Sequence, residues 1–182
     1  MLIGTYFLAG IYGVGKSTLG VALSQQLDIP FYSAGDLISQ VNGEIYGANK
    51  AVANKENNQG ILAMQVRSLL EDYEKILLAG HFCIINKCGE VDCLPRDVFE
   101  KLQIEKIILL EAEQGRILEH LHNRDAKVYS PAIIEALMLT ERKMAHAVAD
   151  RLGCPMVTHR MTYTSTDIST IEQVLREKLD AL

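Results

Sequence analysis

The sequence has 182 residues, of which 48% are hydrophobic, and a formal net charge of −5, which suits a single domain spanning residues 1–182 and leaves little room for a second core. Lysine and arginine form no dense run, so there is no strong nucleic-acid signature. No apolar stretch approaches the length of a membrane span and the first residues lack a basic leader, so we expect a soluble, cytoplasmic protein with no membrane association.

The first predicted strand, residues 6–9, runs directly into a phosphate-binding loop. Residues 10–18 fit the pattern G-x-x-x-x-G-K-[ST], in which backbone N–H groups and a helix N-terminus face an anion. Lys16 is expected to neutralise the β- and γ-phosphates, the Ser17 hydroxyl to bind Mg²⁺ and Thr18 to reach the α-phosphate. The alternative is a glycine-rich turn with an exposed lysine. The predicted nucleotide-binding residues are Gly10, Gly13, Val14, Gly15, Lys16, Ser17 and Thr18, with ATP and Mg²⁺ as cofactors.

The loop is followed by a predicted helix and a second strand. Leucines at i, i+4 and i+8 mark the helix, and Gly20 allows it to approach a sheet closely. After the second strand, at residues 30–33, comes Asp36, which would lie at the same sheet edge as the loop. Its carboxylate either orients an acceptor, takes its proton or holds a Mg²⁺-bound water, or it caps a helix.

The next segment combines a polar stretch with a buried strand. Residues 42–58 are rich in Gly, Asn and Lys without clear periodicity, which predicts a mobile acceptor-side region at about 36–60. The third strand, residues 75–79, is expected to be buried because of its continuous apolar run at 76–78, and it ends close to His81. His81 either bonds an acceptor hydroxyl or a phosphate oxygen, or pins its own loop.

The second half of the chain continues the alternation of strands and helices. A fourth strand at residues 106–110 precedes a helix from about residue 114 that ends near Arg124. A short lid is expected at about 124–131, and it would bring Arg124 onto the transferring phosphate; otherwise Arg124 complements the helix dipole. Arg116 and Arg142 are weaker candidates for this role, and their interpretation as solvated helix residues is favoured. A long helix capped by Ser130, a fifth strand at 154–157 and a helix beginning with a Ser169–Glu172 capping box complete the prediction.

The four cysteines are interpreted as free thiols. Cys83, Cys88 and Cys93 are evenly spaced and His81 is close by, so zinc binding is the alternative. Structural zinc sites usually contain C-x₂-C pairs, and this sequence has none, which favours free thiols.

Four segments of the sequence together carry a family resemblance: Gly13-Val14-Gly15, Leu77-Leu78-Ala79-Gly80-His81, Lys87-Cys88-Gly89 through Leu94-Pro95, and His122-Asn123-Arg124-Asp125. They resemble the adenylate-kinase-like P-loop kinases, the archaeal-type adenylate kinases in particular. The chain is also similar to the adenylate-kinase-like ATPases of ribosome assembly, which share the loop and an Ala-Gly-Asp-Leu segment. The resemblance implies ATP and Mg²⁺ binding, a five-stranded parallel sheet and a short lid.

The chain departs from that family at the metal and acceptor positions. Family members usually carry an aspartate where this chain has Ala79, so metal binding would depend on Ser17 and Asp36. Arginines that hold the acceptor phosphate in nucleoside-monophosphate kinases are replaced by Ser39 and Cys83. A standard AMP site is therefore not expected.

These observations predict an α/β three-layer P-loop NTPase fold with strand order 2-3-1-4-5. We expect a kinase that transfers the γ-phosphoryl group of ATP to a nucleotide or another small hydroxyl-bearing acceptor. The alternatives are an ATPase that acts as an assembly or regulatory switch, and a nucleotide sensor without turnover. The acceptor and the oligomeric state stay open. The predicted catalytic residues are Lys16, Arg124, Asp36 and His81.

Overall fold

A computed structural model describes residues 3–42, 55–125 and 128–177. Its main sheet has five parallel strands in the order β2-β3-β1-β6-β7, and a separate antiparallel hairpin is formed by β4 and β5. With the hairpin left out, this order is the predicted 2-3-1-4-5. The strands are β1 (Gly4–Ala9), β2 (Phe31–Ser33), β3 (Lys75–Ala79), β4 (Cys83–Ile85), β5 (Val91–Cys93), β6 (Ile104–Glu111) and β7 (Met156–Arg160).

Helices flank the sheet, as predicted. Helix α1 packs beside α7, while α6 packs beside α4 and α5. No helix in the described ranges is long and apolar enough to cross a membrane. The helices are α1 (Lys16–Leu27), α2 (Ala34–Asn42), α3 (Lys55–Asp72), α4 (Arg96–Glu100), α5 (Gln114–Asp125), α6 (Pro131–Leu152) and α7 (Ser165–Arg176).

Each of the three central strands contains a run of buried apolar residues, at 7–9, 76–79 and 107–110, because helices cover both faces of a parallel sheet. Strand β1 lies between β3 and β6, with Leu8 beside Ala79 and Ala9 beside Leu109. Beyond the sheet core, the rings of Phe7, Phe82 and Phe99 contact one another at centroid distances of 4.7–5.9 Å. The carboxyl ends of β1, β3 and β6 therefore meet at one edge, where the chain leaves the sheet for the loops.

Helix ends follow the predicted capping residues in one case and not in another. Ser130 is the N-cap of α6, and the helix ends at Gly153, which has φ 62°. Helix α7, however, begins at Ser165, with Thr164 as its N-cap. The predicted capping box at Ser169 is therefore wrong, since the Ser169 hydroxyl lies inside the helix and donates to the Thr166 carbonyl.

The hairpin between β4 and β5 was not anticipated from the sequence. The Asn86 side-chain oxygen accepts hydrogen bonds from the N–H groups of Cys88 and Glu90, and Gly89 has φ 81°. These contacts build a tight turn.

Two segments, at about 36–60 and 124–131, were expected to move over the site. Residues 43–54 and 126–127 of these segments lie outside the described residues. Residues 36–42 belong to α2 and residues 55–60 to α3.

The close approach of α1 to the sheet depends on Gly20. A Cβ atom at this position would overlap the ring of Phe31 in β2. Alanine is favoured over glycine by about 1 kcal/mol inside a helix, but the overlap reverses that gain. We expect Gly20→Ala to lower the free energy of unfolding by about 1–3 kcal/mol, measured by urea denaturation.

Gly60 in α3 provides the matched control, because a Cβ there would have no described atom within 4 Å. Gly60→Ala should therefore leave stability unchanged or raise it by up to about 1 kcal/mol. Equal effects of the two substitutions would contradict the packing of α1 on β2.

Candidate functional site

The phosphate-binding loop connects β1 to α1 and contains three glycines with positive φ. Gly10, Gly13 and Gly15 have φ values of 142°, 77° and 101°, which other residues rarely adopt. A Cβ at Gly10 would also lie 2.6 Å from the Leu110 carbonyl oxygen. The glycines of the motif are therefore required by backbone geometry and by close packing against β6.

The loop presents backbone donors that fit an anion. Among the described residues, no hydrogen bond is made by the N–H groups of Gly13, Val14 and Gly15. Gly15 directly precedes α1, whose positive end adds to the attraction for negative charge. Unpaired N–H groups at a helix N-terminus are the arrangement that binds phosphate, so the loop fits the triphosphate of a nucleotide.

Lys16 and His81 meet over the start of the loop. The Lys16 ammonium donates to the carbonyl oxygens of Gly10, at 2.6 Å, and Ile11, at 2.9 Å, and lies 3.3 Å from His81 Nδ1. His81 Nδ1 is also 2.7 Å from the Gly10 oxygen. Because one ring nitrogen either donates or accepts, a protonated Nδ1 bonds Gly10 and an unprotonated Nδ1 accepts from Lys16. His81 is thus held against the loop rather than pinning only its own turn.

A buried carboxylate from α6 connects the ends of β1 and β3. Glu141, 1% exposed, accepts hydrogen bonds from three backbone N–H groups: Gly10 at 3.2 Å, Phe82 at 3.0 Å and Cys83 at 2.7 Å. One side chain therefore fixes the first residue of the phosphate-binding loop relative to the segment that follows His81. The same carboxylate satisfies backbone donors that would otherwise be buried without partners.

Burial dominates the electrostatics of this carboxylate. It raises the pKa of Glu141 to about 7, against the opposing effects of the Phe82 N–H, the Lys16 charge and the N–H groups of Cys83 and Gly10. Burial and the neighbouring Cys93 likewise raise the pKa of the Cys83 thiol far above its ordinary value. The charge of Glu141 therefore changes close to neutral pH.

The segment between β7 and α7 forms one wall next to the loop. Asp167 is 2% exposed, and its carboxylate accepts from His159 Nε2 at 2.8 Å and from the N–H groups of Thr162 and Tyr163. Although burial acts in the opposite direction, these hydrogen bonds hold the pKa of Asp167 below its ordinary value. The Tyr163 ring meets His120 edge-on at 4.7 Å, and His120 Nδ1 lies 2.9 Å from the Gly13 oxygen.

A cavity of about 1050 Å³ extends from the loop across the sheet edge. On one side it is lined by the loop, α5 and the Tyr163 segment. On the other side it reaches α2, α3 and the hairpin, where Ile38, Leu62 and Ile84 give an apolar wall. The Nε2 atom of Gln59, a lining residue, is buried and has no hydrogen-bond partner within the described residues. The cavity therefore has two differently built ends.

Sequence comparison identifies the family. The model of a family described as AAA domain (AAA_17) matches residues 9–137. The chain belongs to this AAA domain family. The matched region runs from the end of β1 into α6 and so includes the phosphate-binding loop. No curated protein matches the sequence.

Three of the solved structures similar to this AAA domain chain are small-molecule kinases by their names. Shikimate kinase from Bacteroides thetaiotaomicron has 15% identity and a TM-score of 0.63, covering 98% of this chain and 99% of that one. Shikimate kinase from Acinetobacter baumannii, in complex with shikimate, has 16% identity and a TM-score of 0.63, with coverages of 98% and 96%. A gluconokinase from Sinorhizobium meliloti 1021 has 14% identity and a TM-score of 0.55, with coverages of 94% and 90%. At these identities the similarity shows the fold.

Most of the predicted site residues line the cavity of the AAA domain chain. Asp36 is in the first turn of α2 rather than at its cap, and Arg124 is exposed in the last turn of α5. Gly10 and Val14 do not line the cavity, and Val14 is fully buried. The predicted residues that line it are Gly13, Gly15, Lys16, Ser17, Thr18, Asp36, His81 and Arg124.

Two other arginines are placed as surface residues, as interpreted from the sequence. Arg142 forms a two-pronged ion pair with Glu111 at 2.5 and 2.7 Å, and Arg116 lies 3.5 Å from Glu119. Both side chains are at least half exposed. Neither lines the cavity.

Sequence reasoning missed Glu141 and Asp167. Glu141 continues the buried stripe of α6, which includes Ile134, Leu137, Ala145 and Val148. A carboxylate on the apolar face of an amphipathic helix is unusual, because burying a charge requires partners. A carboxylate among the apolar residues of this helix face was therefore the sequence feature that could have indicated a buried, hydrogen-bonded Glu141.

The raised pKa of Glu141 predicts a pH-dependent stability. Because its folded-state pKa of about 7 exceeds the ordinary value of 4.5, the folded chain binds this proton more tightly than the unfolded chain. The resulting stabilisation is fully present below about pH 4.5 and is lost as pH rises through about 7. Relative to Glu141→Gln, the wild type should lose up to about 3 kcal/mol of unfolding free energy between pH 5 and pH 8.

Urea denaturation at several pH values, followed by circular dichroism, measures this difference. Glu135→Gln is the control, since Glu135 is exposed on the same helix. Its stability should run parallel to that of the wild type across the pH range. A Glu141→Gln curve that also ran parallel would contradict the buried, proton-binding carboxylate.

Proposed function

We propose that this AAA domain chain is an adenylate-kinase-like phosphotransferase that moves the γ-phosphoryl group of ATP to a small acceptor. The observation that carries the proposal is the two-ended cavity. One end holds the phosphate-binding loop with Lys16, and the other continues to α2, α3 and the hairpin. Its volume of about 1050 Å³ is at the upper limit of ordinary ligand pockets and leaves room for a second molecule beside a nucleotide.

The proposed roles follow from position and charge. The loop N–H groups and Lys16 would hold the β- and γ-phosphates, and Arg124 would stabilise charge on the transferring group. Ser17 would hold Mg²⁺ with help from Asp36, and the metal, when bound, would neutralise phosphate charge. Asp36 would also orient an acceptor hydroxyl or take its proton, with His81 beside it. Closure of a lid at about 124–131 would exclude water.

The acceptor is proposed to be a small molecule bound mainly by hydrogen bonds and apolar contacts. The wall formed by Ile38, Leu62 and Ile84 would contact an apolar part of it. The buried Gln59 amide would supply a donor to an oxygen or ring nitrogen, because binding would give that donor a partner. The names of the similar kinases support a hydroxyl-bearing acceptor. The particular acceptors in those names are those proteins' own and are not assigned to this chain. A cytoplasmic setting remains part of the proposal.

A second candidate is an ATPase that acts as a switch, or a nucleotide sensor without turnover. Ala79 at the end of β3 favours the sensor, because a carboxylate for a metal-bound water is missing at that position. Ser39 and Cys83, at the positions where nucleoside-monophosphate kinases carry acceptor-binding arginines, favour the ATPase. In the ATPase, water replaces the acceptor and ADP forms slowly without a second substrate, whereas the sensor binds ATP and forms no ADP.

A coupled assay of ADP formation separates these functions. Purified protein is incubated with ATP and Mg²⁺ alone, and then with nucleosides, nucleoside monophosphates or polyhydroxylated acids. A kinase should form ADP at least about tenfold faster with one acceptor class than without any. Acceptor-independent ADP identifies the ATPase, and ATP binding without any ADP identifies the sensor; either result overturns the kinase proposal.

Arg124 gives a sharper test of phosphoryl transfer. Arg124→Ala should lower kcat by about a hundredfold or more while changing the KM for ATP only a few fold, because its charge acts mainly in the transition state. Arg116→Ala on the same helix is the matched control and should retain kcat. Equal kcat values for both variants would remove Arg124 from the proposed machinery.

A further inference from the structure

Two cysteines face each other across the β4–β5 hairpin. Cys83 and Cys93 are direct partners in the antiparallel register, and their Sγ atoms are 3.3 Å apart. All four cysteines of the chain are free thiols in the structure. The pair is therefore reduced, with its sulfur atoms close to contact.

The two cysteines occupy the type of pair in which side chains approach most closely. Backbone hydrogen bonds identify two bonded pairs on this hairpin. Leu94 N donates to Phe82 O, one position before the Cys83–Cys93 pair, and Asn86 N donates to Glu90 O, three positions after it. Since bonded and non-bonded pairs alternate in antiparallel strands, Cys83 and Cys93 form a non-bonded pair. The N–H group of Cys83 accordingly points away from β5 and donates to Glu141 at 2.7 Å. Such pairs have Cα atoms about 4.5 Å apart, within the range of disulfides.

The two thiols differ in their access to solvent. Cys83 is fully buried, whereas Cys93 is exposed. A small oxidant in solution can therefore reach the Cys93 thiol directly. The buried Cys83 sulfur is close enough to react with an oxidised Cys93 sulfur. This pairing of an exposed thiol with an adjacent buried one is the arrangement of an attacking and a resolving cysteine.

We propose that Cys83 and Cys93 are a reversible oxidation site whose co-reactant is a peroxide. The Cys93 thiolate attacks one peroxide oxygen, the O–O bond breaks, and Cys93 sulfenic acid and hydroxide form. The Cys83 sulfur then attacks the sulfenic sulfur, the S–S bond forms and water leaves with the Cys83 proton. In total, two thiols are oxidised to one disulfide and one peroxide is reduced to two waters.

The disulfide would lock one wall of the cavity. Ile84 lies between the cross-linked position and the rest of β4, on the opposite face of the strand, and it lines the cavity. A covalent bond across the hairpin restrains the separation of β4 and β5 and so the position of this wall. The proposal does not depend on which reaction the cavity supports.

Thiol counting tests the proposal on the full chain. After hydrogen peroxide treatment and denaturation, wild-type protein should show two reactive thiols instead of four, with a peptide map that joins Cys83 to Cys93. A reductant such as dithiothreitol should restore all four. Amide exchange within β4 and β5 should slow at least about tenfold on oxidation, while exchange in α5 stays unchanged.

Cys88 provides the matched control, because it is exposed in the turn of the same hairpin. Cys88→Ser should still lose two thiols on oxidation, whereas Cys93→Ser and Cys93→Ala should form no intramolecular disulfide. The proposal is overturned if wild-type protein keeps four thiols, if Cys93 stops at sulfenic or sulfinic acid, or if peroxide instead links two chains through Cys88 or Cys93.

Discussion

The described structure depends on satisfying backbone N–H groups where two parallel strands end side by side. Strands β1 and β3 are buried on both faces, and beyond their last ladder positions the N–H groups of Gly10, Phe82 and Cys83 have no strand to pair with. Glu141 supplies one carboxylate for all three. Leaving such donors unpaired in the interior costs about 1–3 kcal/mol each, so this single side chain stabilises the sheet edge on which the site is built.

The same constraint organises the chemistry of the site. Glu141 holds Gly10 in place, and the carbonyl of Gly10 receives Lys16 and lies against His81. Within the described part of the chain, the N–H groups of Gly13, Val14 and Gly15 make no hydrogen bond. On the far side, the chain after His81 continues into the β4–β5 hairpin that forms a wall of the cavity. The phosphate-binding end and the proposed acceptor end are thus joined through one short network of hydrogen bonds.

Much of this arrangement was predictable from local sequence patterns. Apolar stretches predicted β1 and β3, the alternation of strands and helices predicted β6, and the glycine spacing predicted the loop, because these patterns follow from short-range geometry. The hairpin was missed since each of its strands has only three residues and Asn86 sets the turn through side-chain contacts. The start of α7 was misplaced because the capping pattern was assigned to Ser169, whereas Thr164 is the N-cap and Asp167 in the first turn accepts local hydrogen bonds from the N–H groups of Thr162 and Tyr163. The hydrogen-bond partners of Glu141 could not be predicted, because they depend on which strand ends the helix α6 covers.

The central claim is that the loop binds the triphosphate of ATP through backbone N–H groups and the Lys16 ammonium. Isothermal titration calorimetry with ATP and Mg²⁺ measures this directly. We expect saturable binding of one ATP per chain that Lys16→Ala weakens at least tenfold, about 1.4 kcal/mol, while Lys143→Ala, a substitution of an exposed residue on α6, leaves it unchanged. No heat of binding in folded wild-type protein, or equal affinity in Lys16→Ala, would contradict it.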